Sequence, residues 1–417
     1  MYICYLIVSL FQIFLAKLKY RKYINPISLY VLLWNAVILL YEMRLVYLYD
    51  ISIFCWITVI LFQTIYFGTC YLGDKFIISN GEYREFDKDI VWKMIIILST
   101  ISAMAIIPNF INFVHRYSLN FMDQMNSVYS DRLTNSRGYE LIPYLGTFSY
   151  LAVVFSGIYY RRFGLEFKII IPIALTILDT LPGGGRFGLV IIVLLFILPK
   201  ALFPTNNKKV KRKKLKKRKN KVLVVGIILT LVILFWQMSS VRSRWITENQ
   251  YMSPIMKKMV SINPVFYKSY TYIVEPFVAL SEYLKDMTFN FGVNTFGFFI
   301  NILNKLGLNL TYERYQSPLF TPLECNVATY IRELVQDFSY VGAILCIAFI
   351  GSMVGILYKT AKTKNSFFCE AMCAIWGCVI VMSFYMFFLR ESIFWIMILS
   401  LPLVVKIMSF MQCRRGK

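Results

Sequence analysis

The feature that most constrains this chain is the recurrence of apolar runs near the length of a membrane crossing. A helix needs roughly 17–25 apolar residues to pass through a hydrocarbon core about 30 Å thick. Runs of that kind continue from Met1 to Phe410, at about 2–16, 26–43, 51–72, 90–113, 141–160, 167–182, 186–203, 222–238, 338–358, 367–388 and 393–410. The first and sixth are short, so the count of about eleven holds to within one. The chain is 58% hydrophobic and 16% charged, with a mean hydropathy of +0.60. Soluble chains are roughly 45–50% apolar and about 25% charged. A soluble globular enzyme and a protein with one membrane anchor are both excluded. The fold class expected is all-α: a polytopic membrane protein of about eleven transmembrane helices. Residues 2–16 have no charged segment before them and no small-residue cleavage site after them, so they read as a retained first span.

Charge sets the orientation. The net charge is +23, and in membrane proteins excess Lys and Arg collect in cytoplasmic loops. With the tail Arg414, Arg415 and Lys417 placed inside, counting back through the spans puts every basic cluster on the same side. Those clusters are Lys359, Lys362 and Lys364; the run KKVKRKKLKKRKNK at 208–221; Arg161, Arg162 and Lys168; and Lys17, Lys19, Arg21 and Lys22. The N-terminus then lies outside and the C-terminus in the cytoplasm. The basic loop 204–221 could be read as a nucleic-acid or anionic-lipid site. Orientation alone demands such a loop, and no nucleic-acid partner is expected.

Three segments follow: 1–238 with eight spans and the basic loop, 239–337 as a large extracytoplasmic loop, and 338–417 with three spans and a tail. The large loop is rich in aromatic and aliphatic residues, which argues against disorder. Apolar positions recur at three and four within 254–285 and 294–306, predicting helices that lie on the outer leaflet or cap the bundle. Pro254, Pro264 and Pro276 are expected to cut the first stretch into short helices. Nine cysteines lie mostly inside apolar runs, so no disulfide framework is expected.

No phosphate-binding glycine loop for ATP, no nucleophile elbow and no zinc-protease motif occurs. The only histidine is His115. No metal or other cofactor is expected. What remains on the outer side is arginine: Arg186 after three glycines in PGGGR at 182–186, Arg242 and Arg244 after the eighth span, Arg314 and Arg332 in the large loop, and Arg390 between the last two spans. Singly, each could be a headgroup anchor. Together they could hold a pyrophosphate, whose paired anionic oxygens suit guanidinium forks. Glycines before Arg186 would let backbone N–H groups approach an anion. Carboxylates are candidates for a general base: Asp179 inside a span, where an acid is either functional or paired, and Glu324 and Asp337. Glu275 and Glu333 are further candidates. Sequence does not choose among these acids.

Two stretches, YTYIVEPFVALSEYLKDMTFNFGVNTFGFF at 270–299 and NVATYIRELVQDFSYVGAILCIAFIG at 326–351, resemble bacterial oligosaccharide repeat-unit polymerases of the O-antigen and capsule pathway (Wzy type), as does GGGRF at 183–187. With the topology, the resemblance covers most of the chain from about 140 onward. One departure is Ser339, where many relatives have glycine after Asp337-Phe338. The resemblance implies a membrane-embedded, metal-independent, inverting glycosyltransferase of GT-C-like architecture in the bacterial cytoplasmic membrane. Its substrates would be undecaprenyl-pyrophosphate-linked oligosaccharides. It would move the growing glycan onto the non-reducing end of a newly flipped repeat unit. A chain-length regulator and a repeat-unit flippase are the protein partners implied. An O-antigen ligase would carry a histidine in the large outer loop, and none occurs between 239 and 337. A flippase for lipid-linked oligosaccharide would have short, even loops. Both remain as alternatives.

Overall fold

The structure is a computed structural model that describes residues 1–78, 85–118, 140–183, 187–204, 226, 229, 232–241, 243, 246–310 and 317–415. It is built from helices: α1 (Tyr2–Tyr20), α2 (Pro26–Glu42), α3 (Ile53–Gly73), α4 (Lys88–Tyr117), α5 (Phe148–Phe163), α6 (Ile170–Thr180), α7 (Phe187–Leu202), α8 (Pro254–Ile262), α9 (Val265–Tyr283), α10 (Val293–Lys305), α11 (Tyr330–Lys364), α12 (Phe367–Met382) and α13 (Ser392–Arg415). A two-stranded antiparallel hairpin, β1 (Leu319–Phe320) with β2 (Glu324–Cys325), interrupts them.

Among the described residues, α1, α3, α4, α11 and α13 are long and apolar enough to cross a membrane by length and composition. Pro26–Glu42, Phe187–Leu202, Val232–Val241 and Phe367–Met382 are shorter apolar helices. The run expected at 167–182 contains an α-helix of 11 residues, Ile170–Thr180, about 16 Å long and short of a bilayer core. Of the run expected at 222–238, residues 226, 229 and 232–238 are described, and the rest lies outside the described residues.

The chain divides into two compact units. The first joins Met1–Gly81, Thr247–Thr363 and Trp376–Trp395, so the large loop folds with the first three helices. Helix starts here follow from capping chemistry. Asn25 accepts from the Ser28 N–H at 2.9 Å ahead of Pro26, and Ser253 accepts from the Met256 N–H at 3.2 Å ahead of Pro254. The unit's core is aromatic. Phe277 of α9 meets Trp34 and Tyr41 of α2 and Trp56 of α3 edge-on, with ring centroids 5.6–6.3 Å apart. That packing corrects one expectation: Pro276 does not end a short helix but sits inside α9. An interior proline costs about 3 kcal/mol, and the burial of its neighbours on α2 and α3 offsets it.

Polar and small residues join the apolar helices of this unit. Gln63 of α3 accepts from Tyr5 of α1 at 2.6 Å and donates to Gln12 and Ser9 at 2.9 and 3.0 Å. Gly351 and Gly355 of α11 bring its backbone onto α3: a Cβ on either would overlap Thr69 Oγ1 or the Cys70 carbonyl. Such small-residue approach is how helices associate where no hydrophobic drive operates. At one end of the unit Lys19 pairs with Asp74 at 3.3 Å, and Thr360 accepts from the Ile78 N–H at 3.2 Å. At the other, residues 45–52 bond to Tyr251, Ser253, Tyr270, Ser281 and Thr321. The basic ends of α1 and α11 therefore share one end with Asp74.

α11 is broken at Ser339, which takes φ 64° and ψ 175°. Only glycine adopts that region without strain. Ser339 thus holds a backbone conformation that favours glycine.

The second unit joins Glu82–Ile246, Lys364–Ile375 and Ile396–Lys417. α5 packs on α4 and α7, with Gly157 against the Phe196 carbonyl, where a Cβ would come within 2.5 Å of the oxygen. Arg161 and Arg162, at the end of α5, both bond Glu370 Oε2, at 2.6 and 2.8 Å, and Arg162 also reaches the Asn365 carbonyl.

Candidate functional site

Two of the six sequence-selected arginines meet in the first unit. Arg332 lies in the first turn of α11, whose start is capped by Thr329 accepting from the Arg332 N–H at 3.2 Å. Arg390 closes a short 3-10 turn, Phe388–Arg390, before α13. Between them stands Glu333. Arg390 Nη1 donates to Glu333 Oε1 at 2.9 Å, and the two side chains are 16% and 5% exposed. Arg332, 3% exposed, donates to the Ser317 carbonyl at 3.3 Å and lies 5.5 Å over the Tyr283 ring.

Arg390 thus bonds Glu333 and Arg332 lies within electrostatic range of it, as do the carboxyls of Asp337 and Glu391. The cluster is incompletely bonded. Nε and Nη1 of Arg332, Nε and Nη2 of Arg390, and Glu333 Oε2 are buried without a hydrogen-bond partner among the described residues. A buried donor left unpaired costs about 1–3 kcal/mol, and more when charged. Such a group is therefore informative. Four guanidinium nitrogens with unused N–H groups match an anion that offers several oxygens.

The neighbouring elements hold this cluster in place. One helical turn beyond Glu333, Asp337 accepts from the Asn294 N–H at 3.0 Å, the Thr295 N–H at 2.6 Å and the Thr295 hydroxyl at 2.6 Å. Its carboxylate therefore closes the N-terminus of α10, where negative charge is favourable. Trp395 Nε1 donates to the Leu389 carbonyl at 2.7 Å and the Thr295 carbonyl at 3.1 Å, tying the turn that carries Arg390 to the same helix end.

Tyr283, which meets the cluster, shares one side of α9 with a second set of groups. Lys268, Tyr272, Glu275 and Tyr283 follow one another at spacings of four, three and eight, which keeps them on one helical face. Lys268 Nζ lies 4.9 Å over Tyr272, and Tyr272 is 5.9 Å from Tyr385. Glu275 is 8% exposed, and burial raises its carboxyl from the ordinary 4.5 to about 7, against a smaller opposing pull from Lys268. Cys325 of β2 stands within electrostatic range of both Glu275 and Arg332, and burial pushes its thiol up to about 12. α9 is not among the helices apolar enough to cross a membrane.

The other selected residues are distributed as follows. Glu324 is exposed on β2. Asp179 belongs to the second unit, beside Gly146, where a Cβ would come within 2.5 Å of its Oδ1. Arg186, Arg242, Arg244 and Arg314 lie outside the described residues. Reading the sequence reached Glu275 and Glu333 only as two acids among several. It missed the anchoring bonds of Asp337 and Trp395 altogether. The Glu275–Tyr283 spacing was a visible signal, whereas nothing local links Glu333 to Arg390 across 57 positions.

The chain was compared with family models, with curated proteins and with solved structures, and it matches none of them.

Proposed function

We propose that this protein polymerises oligosaccharide repeat units carried on undecaprenyl pyrophosphate at the outer face of the bacterial cytoplasmic membrane. The growing glycan leaves its lipid pyrophosphate and is joined to the non-reducing end of a new lipid-linked repeat. The observation that carries the reading is the buried Arg332–Glu333–Arg390 cluster with its four unbonded guanidinium nitrogens. Its unused guanidinium donors suit a diphosphate leaving group, whose developing charge fixed donors stabilise more in the transition state than in the ground state. The resemblance at 270–299 and 326–351 falls on the elements that build this cluster.

The same reading keeps about eleven crossings, a GT-C-like architecture and an exterior N-terminus. In its support, Lys19 lies at the same end of the first unit as the end of α11, and residues 45–52 meet the large loop at the other. Activation is already present in the sugar–pyrophosphate bond, so the chemistry proposed uses no nucleotide and no metal. A chain-length regulator and a flippase for the repeat unit complete the partner set. The test is deletion of the gene, with complementation by wild type, Arg332→Ala and Arg390→Ala, followed by gel analysis of surface glycan. Wild type should restore a ladder, and both variants should leave single lipid-linked repeats. A full ladder from both variants would overturn the proposal.

A further inference from the structure

We infer that Glu275 is the catalytic base of this site, the group that takes the proton from the attacking hydroxyl of the acceptor sugar. The assignment rests on the polymerase reading. Three features of the structure select it. First, Glu275 lies on the α9 face that also presents Tyr283, and Tyr283 stacks against the Arg332 guanidinium at 5.5 Å. Cys325 sits within electrostatic range of both Glu275 and Arg332. The β2 strand that carries it therefore links the carboxyl to the anion-holding cluster, with Glu275 and Tyr283 about 12 Å apart along α9.

Second, Glu275 is nine-tenths buried yet makes no salt bridge among the described residues, whereas Glu333 is bonded to Arg390 and Asp337 is held by three donors. Carboxylate oxygens already held by protein donors leave less room to accept a proton from substrate. Glu275 has one hydrogen bond, with Thr271, and its burial outweighs it, so the carboxyl retains basicity near neutral pH. The groups that face it are Lys268, Thr271 and Tyr267 of its own helix and Cys325 of β2. Lys268 is the one cation among them, and it pulls the carboxyl downward. Third, Glu324 is exposed, and Asp179 belongs to the other unit.

The step balances. The acceptor O–H proton passes to the Glu275 carboxylate as the acceptor oxygen bonds to C1 of the donor sugar. The bond from C1 to the pyrophosphate oxygen breaks, and its electron pair leaves with the lipid pyrophosphate, facing Arg332 and Arg390. Attack opposite the leaving group inverts C1. The proton then leaves Glu275 for solvent.

Since the base works only when ionised, activity should fall as pH drops through about 7. The stability sign runs the other way. A carboxyl raised from 4.5 to about 7 favours the fold when neutral, and that contribution fades as pH rises through this window.

The experiment uses spheroplasts of the gene-deleted strain complemented in trans, which carry their own lipid-linked repeats and expose the outer face to the medium. Glu275→Gln should lower the rate of ladder growth by roughly 100-fold or more, with single repeats accumulating. The purified variant should melt higher than wild type at pH 8, which separates loss of chemistry from loss of fold. Lys268→Met should keep polymerising but move the acid limb of the pH–rate profile to higher pH. A wild-type rate in Glu275→Gln, or an acid limb unmoved by Lys268→Met, overturns the assignment. If Arg332→Ala abolishes the ladder while Glu275→Gln retains it, only the base is misassigned. If Arg332→Ala also retains it, the polymerase reading falls as well.

Discussion

The Arg390–Glu333 pair gives the most quantitative test of the cluster. Its two side chains are 16% and 5% exposed and their charged atoms are 2.9 Å apart. Substituting Arg390→Met keeps much of the stem's bulk but leaves the Glu333 carboxylate unpaired in a buried place. Breaking a buried pair from one side costs about 3–5 kcal/mol. Glu333→Gln errs in the opposite direction and leaves two guanidinium groups without their counter-ion, at a similar cost. The double variant Arg390→Met/Glu333→Gln removes both charges, so its loss should be smaller than the sum of the singles by at least ~1.5 kcal/mol. Unfolding of the purified protein in mixed micelles, followed by tryptophan fluorescence against rising denaturing detergent, reads all four corners of the cycle. Inorganic pyrophosphate adds a second reading. At 100 times its dissociation constant it should stabilise wild type by about 2.7 kcal/mol, and it should do less for Arg390→Met. Strict additivity of the two substitutions, together with no pyrophosphate effect on wild type, would refute the reasoning.

Further consequences concern the frame around the site. Ser339→Gly relieves a backbone at φ 64°, ψ 175° and should stabilise the protein by ~1 kcal/mol or more while retaining polymer, as read in the same unfolding series. Gly355→Leu would drive a side chain into the Cys70 carbonyl; overpacking of this kind costs about 1–3 kcal/mol, and a lower yield of folded protein after detergent extraction would report it. Asp337→Asn weakens the anchoring of α10 by about 1–2 kcal/mol, and hydrogen exchange at the Asn294 and Thr295 amides should speed up accordingly.

How far the sequence alone reached can be judged from particular residues. The apolar runs were legible because bilayer length is a one-dimensional signal, and α3, α4 and α13 lie close to the runs that predicted them. The helices of 254–305 were legible from three- and four-residue spacing, but not the intact course of α9 through Pro276. That depends on aromatic neighbours contributed by α2 and α3. Arg332 and Arg390 were identifiable by residue type. Their shared partner was not, because the bond from Glu333 to Arg390 is made by folding and not by local pattern. Asp337 shows the reverse limit. An acid-aromatic pair before a span looks chemical in sequence, while three hydrogen bonds make it the anchor of another helix.

The central claim is that Arg332 and Arg390 together hold a diphosphate borne by a lipid. Its most direct measurement is the affinity of the protein in lipid nanodiscs for undecaprenyl pyrophosphate, with undecaprenyl monophosphate as reference. Wild type should prefer the diphosphate, and Arg332→Ala and Arg390→Ala should each weaken it by roughly 10–100-fold, the worth of a charge-assisted hydrogen bond. Equal affinity for the two lipids, unchanged by either substitution, would contradict the account.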